Sequence, residues 1–451
     1  MIARLRHIFL FCAILLALPA LLGFYPVSVV SASSLCPPDS IPDDYDDDDR
    51  SDDDDDDAQS DLRSSTVTLE DGSDIHIPAG LPFLHRIPIE LNGADWTDLS
   101  RRFLATDSDL FSIVNIGDSH LQADIATGHM RSILQSQRGN AGRGLISPHR
   151  IAGTNEAHDY HFTVDGRVTT SRLLRSPWQT DMGLTGVAFS PSRPDFSIYV
   201  DTKDEEGFRS LRLLHSGQIT VKSIEWEGRK QDFDADYQDD CTDIFLPRPL
   251  PSLTLNIHVK GSACFFGIVL SNDCPGLYFH TIGNNGACYC SYSAIPHFAA
   301  DLAILEPDLV ILSLGTNEAF GKLSDDAFYA QIDELVSDIH AANPDAEILL
   351  TTPMECQHST RTRRKGRRGR RTAVTYSVNS NCCRLRQVIL RYGRDKSIPT
   401  FDWYAAAGGD GASSSWIEHQ LMSTDRIHLT RTGYLVMGNM LAESLTSSLS
   451  R

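Results

Sequence analysis

The chain predicts an α/β architecture: a three-layer α/β/α parallel-sheet domain interrupted by an antiparallel β-sandwich module. Three observations lead there. Short apolar runs without internal alternation, "FSIVNI" (111–116), "DLVILSLG" (308–315) and "AEILLTTP" (346–353), have the length and composition of strands buried on both faces. Amphipathic stretches accompany them. "QADIATGHMRSILQSQ" (122–137) sets Ile125, Met130, Ile133 and Leu134 at helical spacing, and "DDAFYAQIDELVSDIHAA" (325–342) repeats the pattern over a longer span. "CRLRQVILRYGRD" (383–395) reads as a further helix, followed by a last short strand, "IPTFDW". Between about 150 and 282 the texture changes to "LTGVAFS", "FSIYVDT", "LRLLHS", "ITVKSIEWE", "LTLNIHVK" and "CFFGIVLS", strand-like runs separated by Gly, Asp, Pro and Ser. The simplest account is one α/β domain in two parts, 71–149 and 283–451, with a β module inserted at 150–282.

The ends of the chain carry other signals. "MIARLRH" is basic, "IFLFCAILLALPALLGF" is apolar, and Val30-Ser31-Ala32 offers small residues at a cleavage site, the three parts of an export signal over 1–32. An uncleaved anchor is the alternative, because the apolar run approaches membrane-spanning length. Cleavage implies an exported, periplasmic or envelope-associated protein with no stable membrane insertion. Residues 39–61 hold fourteen aspartates against Arg50, so most of the formal charge of −20 belongs to a segment that cannot bury itself. Residues 33–70 therefore read as a disordered Asp-rich linker. EF-hand spacing is absent from it. Ten cysteines are present, and in an exported chain those left after the signal departs are disulfide candidates. Cys264 and Cys274 can close a short loop, whereas Cys288 with Cys290, or Cys382 with Cys383, lie too near each other to pair without strain.

In open α/β sheets chemistry gathers at the carboxyl ends of the strands. "FSIVNI" ends in Gly117-Asp118-Ser119, and "LVILSL" ends in Gly315-Thr316-Asn317-Glu318. "TIGNNGACY" offers Gly283 and Gly286 where the module rejoins the sheet, and "STDRIHLTRTGY" carries Asp425 and His428 as D-x-x-H. Acyl transfer needs a hydroxyl, a base, a group that orients the base, and donors for the oxyanion. Ser119 is the candidate nucleophile, His428 the base and Asp425 its orienter. The N–H groups of Ser119 and Gly286, with the Asn317 amide, are the candidate oxyanion hole.

These blocks resemble those of the SGNH (GDSL-like) hydrolase family, named for a Ser, a Gly, an Asn and a His in four separate segments. Ser119 matches the nucleophile, Gly286 rather than Gly283 the glycine donor, Asn317 the asparagine donor, and Asp425 and His428 the last block. Glu318 departs from the family, which often has Asp there. The stretches "GDSHLQAD", "GNAGRGLISP", "IAGTNEAHDY" and "TDRIHLTRTGY" further resemble exported bacterial peptidoglycan O-acetylesterase-like proteins, in which a β module interrupts the hydrolase domain. The resemblance implies serine esterase chemistry on an O-acetylated cell-wall glycan, peptidoglycan first, with no cofactor and no metal. Deacetylation of xylan or an exopolysaccharide, acetyl transfer onto glycan, and non-catalytic glycan binding on the same fold are the alternatives. The intact Ser, Asp and His set counts against the last.

Other features have competing readings. His120, His129, Asp118 and Asp124 lack the spacing of a helical zinc site, and Asp118 is better explained as orienting the turn around Ser119. "RTRRKGRRGRR" (361–371) reads as a solvated loop or as a contact for an anionic polymer. Nucleic acid is not expected, because export and the lack of interleaved aromatics argue against it. Phe196, Tyr199, Trp226, Tyr237, Phe265 and Phe266 of the module are expected in its core, with a surface pair as a possible sugar platform. Trp403 and Trp416 are candidate lining residues of the substrate cleft.

Overall fold

The computed structural model describes residues 65–68, 74–77, 81, 83–366 and 369–450. The export signal, and the linker up to residue 64 with its aspartate tract, lie outside the described residues. Five parallel strands form the central sheet: β1 (Leu110–Gly117), β2 (Gly276–Gly283), β3 (Leu309–Ser313), β4 (Glu347–Thr351) and β5 (Thr400–Phe401). Their spatial order is β2-β1-β3-β4-β5, all parallel. The alternating side chains of these strands feed two separate cores. Val114, Ile116, Val310, Leu312 and Leu350 face one layer, and Ile113, Phe279, Leu309, Ile311 and Leu349 face the other. Among the described residues no helix is long and apolar enough to cross a membrane.

The helices sort by the same rule. Label α1 the short turn Ser119–Gln122, α2 Ile125–Arg138, α3 Asp325–Ala342, α4 Ser380–Lys396 and α5 Arg431–Leu449. Phe328, Ile332, Leu335 and Ile339 of α3 recur every three to four residues and meet Leu385 and Ile389 of α4 over the first core. Ala126, Met130 and Leu134 of α2 and Leu441 and Leu445 of α5 cover the second. Ser324 caps α3 by accepting from the Ala327 N–H, and Thr430 caps α5 through the Gly433 N–H.

The inserted module is a single hydrogen-bonded network of ten antiparallel strands. Two long strands, Phe208–Trp226 and Ser252–Ser271, run side by side through it with three register shifts. Phe196, Ile198, Leu211, Leu255, Phe265 and Ile268 share its core. Its limits differ from the 150–282 read from sequence. Gly144–Ile146 already pairs with Ile268–Leu270, and Gly276–Gly283 pairs in parallel with β1. "GLYFHTIG" is apolar enough for either sheet, and only its partner decides which. Two further readings are corrected. Ser65–Thr68, inside the assigned linker, pairs antiparallel with Asp74–Ile77. These β-branched segments flank Asp71-Gly72, a hairpin signal that the adjoining acidic tract obscured. Of the basic stretch read as a loop, residues 361–366 and 369–371 instead lie in paired strands, Gln357–Gly366 and Gly369–Val378, registered from Gln357↔Val378 to Gly366↔Gly369.

Candidate active site

Glycine at 117 is required by close approach. A Cβ there would lie 2.5 Å from Leu121 Cδ1 and 2.7 Å from the Ser313 carbonyl oxygen. The chain leaves β1 at this point, and Asp118 caps α1 by accepting the His120 N–H at 3.0 Å. That is the turn-orienting role expected of Asp118. Ser119 becomes the first helical residue, so its own N–H has no partner within the helix. Gly283 has a packing role instead, because a Cβ there would sit 2.5 Å from the Gln122 nitrogen. Gly286 has φ +82°, a conformation open chiefly to glycine, with room for a Cβ. Glycine at 286 thus answers a backbone requirement and glycine at 283 a steric one.

Residues separated by three hundred positions meet here. Ser119 Oγ lies 2.8 Å from His428 Nε2, and His428 Nδ1 lies 2.6 Å from Asp425 Oδ2. Asp425 Oδ1 accepts the N–H groups of Ile427 and His428 at 2.8 and 3.0 Å, which holds the carboxylate and the imidazole in one rigid turn. Burial works against a charged His428, yet the Asp425 hydrogen bond and charge outweigh it and raise the imidazole above its ordinary value. Asp425 is held below the usual carboxylate range: burial alone would raise it, and the His428 contact prevails.

Asn317 is buried, and its Nδ2 donates to Asp118 Oδ2 at 3.2 Å and to the Ala287 carbonyl at 3.0 Å. The amide thus touches the turn of Ser119 and the segment after Gly286, with both of its protons engaged. Burial pushes Asp118 up to about 6. The Glu318 departure has a structural use. Its fully buried carboxylate accepts the Tyr289 N–H at 2.8 Å, anchoring the short helix that follows Gly286, and burial pushes it up to about 7.

A polar brace escaped the sequence reading. Gln122 Oε1 accepts the Asn285 N–H at 2.7 Å, while Gln122 Nε2 donates to Thr154 Oγ1 at 2.7 Å and Asn155 Oδ1 at 2.8 Å. Asn285 Nδ2 also donates to Asn155 Oδ1 at 3.2 Å. The segment entering the module therefore props the glycine loop against α1. The only sequence hint was the position of Gln122 three residues after Ser119. The remaining histidine and aspartate candidates have ordinary partners. His129 Nε2 meets Asn439 Oδ1 at 2.7 Å, and His120 Nδ1 meets the Tyr434 hydroxyl at 3.2 Å. Burial and the nearby His428 charge hold His120 down at about 3. Asp124 ties Arg131 and Arg143 at 2.9 and 2.6 Å and accepts from Thr281 at 2.8 Å, binding α2 to β2.

Other expectations divide. Trp403 lines a small cavity with Asp118, His120, Thr316 and Met354, whereas Trp416 is wholly buried and donates to the Ala407 carbonyl, so it does not line the cleft. In the module Phe196 and Phe265 are core, Trp226 lies under the Arg248 guanidinium, and Tyr199 and Tyr237 are exposed. Each exposed ring has a polar anchor, the Asp201 carboxylate for Tyr199 and the Val221 N–H for Tyr237. Cys264 and Cys274 do not pair: Cys264 lies in a strand opposite Ser216, and Cys274 Sγ donates to the Asn140 carbonyl. Cys264 and Cys274 are therefore both free thiols.

A hydroxyl, an imidazole and a carboxylate in hydrogen-bonded sequence, at the carboxyl edge of a parallel sheet between helical layers, have the arrangement of an α/β/α acylhydrolase. Residues 269–436 match the model of the GDSL-like Lipase/Acylhydrolase family. Over those residues the chain is similar to that family. The match begins within the last strand of the module, so the Ser119 turn lies upstream of it and is brought back by the pairing of β1 with both β2 and β3. A solved structure described as "Peptidoglycan O-acetylesterase in action, 5 min" superposes with a TM-score of 0.64 at 22% identity, covering 81% of this chain and 99% of that one. That share exceeds the parallel-sheet domain, so the shared fold includes antiparallel strands of the module. A lipase/acylhydrolase from Enterococcus faecalis matches at 18% identity over 38% of this chain and 77% of that one, with a TM-score of 0.28. A family two carbohydrate esterase from Cellvibrio japonicus matches at 12% identity over 64% and 98%, with a TM-score of 0.27. None of the curated proteins matches this sequence.

Proposed function

We propose that the protein is an exported serine esterase that removes O-acetyl groups from a cell-wall glycan, peptidoglycan first. The observation that carries the reading is the Ser119–His428–Asp425 relay, with contacts of 2.8 and 2.6 Å. Asp425 accepts a hydrogen bond from His428 Nδ1–H, which leaves the Nε2 lone pair facing the serine. Ser119 Oγ attacks the acetyl carbonyl carbon and passes its proton to Nε2. The resulting oxyanion accepts from the N–H groups of Ser119 and Gly286 and from Asn317, whose amide turns one proton away from Asp118 or Ala287 to do so. Collapse breaks the bond to the sugar oxygen, which leaves with the proton from Nε2, and acetyl-Ser119 remains. Water then gives a proton to Nε2 and attacks the acetyl carbon, and acetate departs as Ser119 recovers its proton.

Two features support an anionic cell-wall polymer as substrate. The fold resembles that of a peptidoglycan O-acetylesterase. The basic hairpin also grows from the site itself. Its Tyr376 hydroxyl donates to the Thr424 carbonyl, the Arg426 guanidinium lies 3.7 Å from the Tyr376 ring centroid, and the Gln357 N–H donates to the Arg426 carbonyl. The sequence of this hairpin holds eight basic residues between 361 and 371. A polymer bearing lactyl and peptide carboxylates meets positive charge beside the loop of Asp425 and His428.

The test is acetate release from O-acetylated peptidoglycan, with O-acetylated xylan alongside, for the native protein and Ser119→Ala. Release from peptidoglycan that is lost in the variant is the expected result. Release from xylan alone keeps the mechanism and discards the substrate. Failure on both, and on a simple aryl acetate, overturns the esterase reading in favour of glycan binding.

A further inference from the structure

We propose that Cys356 and Cys382 form a disulfide that closes the base of the basic hairpin onto α4. Their sulfur atoms lie 3.4 Å apart, and both side chains are buried at 1% and 0% exposure. The backbone brings them together for reasons unrelated to sulfur. The Asn379 N–H donates to the Cys356 carbonyl at 2.9 Å as the hairpin closes, and Asn379 is the N-cap of α4. The Cys382 N–H returns to the Asn379 carbonyl at 3.1 Å, which sets Cys382 in the first helical turn opposite Cys356. A side-chain rotation that shortens the separation by about 1.4 Å reaches bonding distance. The surroundings are apolar, with Leu385 and Ile389 in the same core. The neighbouring Cys383 is half-buried and is the competitor adjacent in sequence.

The bond forms by exchange with a low-molecular-weight disulfide. One cysteine thiolate attacks that disulfide and releases a thiol, and the second cysteine displaces the other half. The two cysteines lose two protons and two electrons, and the oxidant leaves as two thiols. Because both sulfurs are enclosed in the native fold, exchange takes place while the chain is folding.

The position of the pair gives the bond a consequence beyond tethering. Gln357, next in the chain, donates its N–H to the Arg426 carbonyl, accepts from Arg426 Nη1 at 2.9 Å, and donates from Nε2 to Ser413 Oγ at 3.0 Å. Arg426 stands between Asp425 and His428. A bond at Cys356 therefore braces the loop that presents the imidazole to Ser119, besides restricting the unfolded chain over the whole hairpin.

The full chain is refolded from denaturant in an oxidised and reduced glutathione buffer, quenched with iodoacetamide, and peptide-mapped without reduction. The expected map joins the Cys356 and Cys382 peptides. Dithiothreitol then lowers the thermal midpoint by several degrees, and the Cys356→Ala, Cys382→Ala double variant loses that sensitivity. Carbamidomethyl groups on both residues, or Cys356 joined to Cys383 or to any other cysteine, overturns the proposal. The mapping requires neither a folded variant nor an active enzyme.

Discussion

In the proposed mechanism His428 can act as base only while its Nε2 is unprotonated, so activity is predicted to fail on the acid side of its titration. The Asp425 contact raises that titration above the ordinary imidazole value despite burial. The predicted pH profile of kcat/KM for an aryl acetate has its acid limb on the high side of 6.5, the unperturbed value. Asp425→Asn removes the hydrogen bond and the charge that raise it. The limb then moves to lower pH, and the plateau rate falls by about a hundredfold or more as the favoured tautomer is lost. An acid limb that stays in place in the variant rejects Asp425 as the residue that sets the base. Ser119, His428 and Asp425 were legible because each stands in a compact local pattern. Gln122, Asn155 and Asn285 were not, since a Gln or Asn that bonds across the fold looks in sequence like any solvated polar residue.

At the scale of elements, the hairpin of Gln357–Val378 shows how charge can mask a structural signal. Eight basic residues between 361 and 371 read as a solvated loop, although "QHST" and "AVTYSV" on either side have strand character. The two strands instead pair over ten registered positions. Replacing 361–373 by a short Gly-Ser turn is predicted to raise KM for O-acetylated peptidoglycan roughly tenfold and to flatten its dependence on salt. Turnover of an uncharged aryl acetate changes little. Equal losses on both substrates count against a docking role and leave the hairpin as a support of the Asp425–His428 loop.

At the scale of the whole molecule, the module and the parallel-sheet domain share a core among the described residues. Leu145, Leu173, Leu184 and Leu214 from the module side pack in one cluster with Ile282, Ala287, Tyr292 and Ile295. Calorimetry of the protein should therefore give a single transition. Leu184→Ala, at a position 2% exposed, should cost about 2–4 kcal/mol and lower that transition without splitting it. Two separable transitions show that the module folds on its own and that the shared cluster contributes little. The sequence had set the module apart by texture, which reports local strand period. It contains no record of which apolar faces meet.

By itself the sequence determined the buried strands and amphipathic helices of the parallel-sheet domain, the candidate residues for acyl chemistry, and the Gly117 and Gly286 positions where backbone must bend. These follow from local sterics and from side-chain chemistry, both of which are written at single positions. The tertiary structure alone decided which sheet claims residues 276–283, that Asn155 braces the glycine loop through Gln122, and that Cys356 lies against Cys382. Those are matters of neighbourhood between distant segments. They are set by whichever packing buries the most apolar surface with every polar group satisfied, and no short window of sequence carries that comparison.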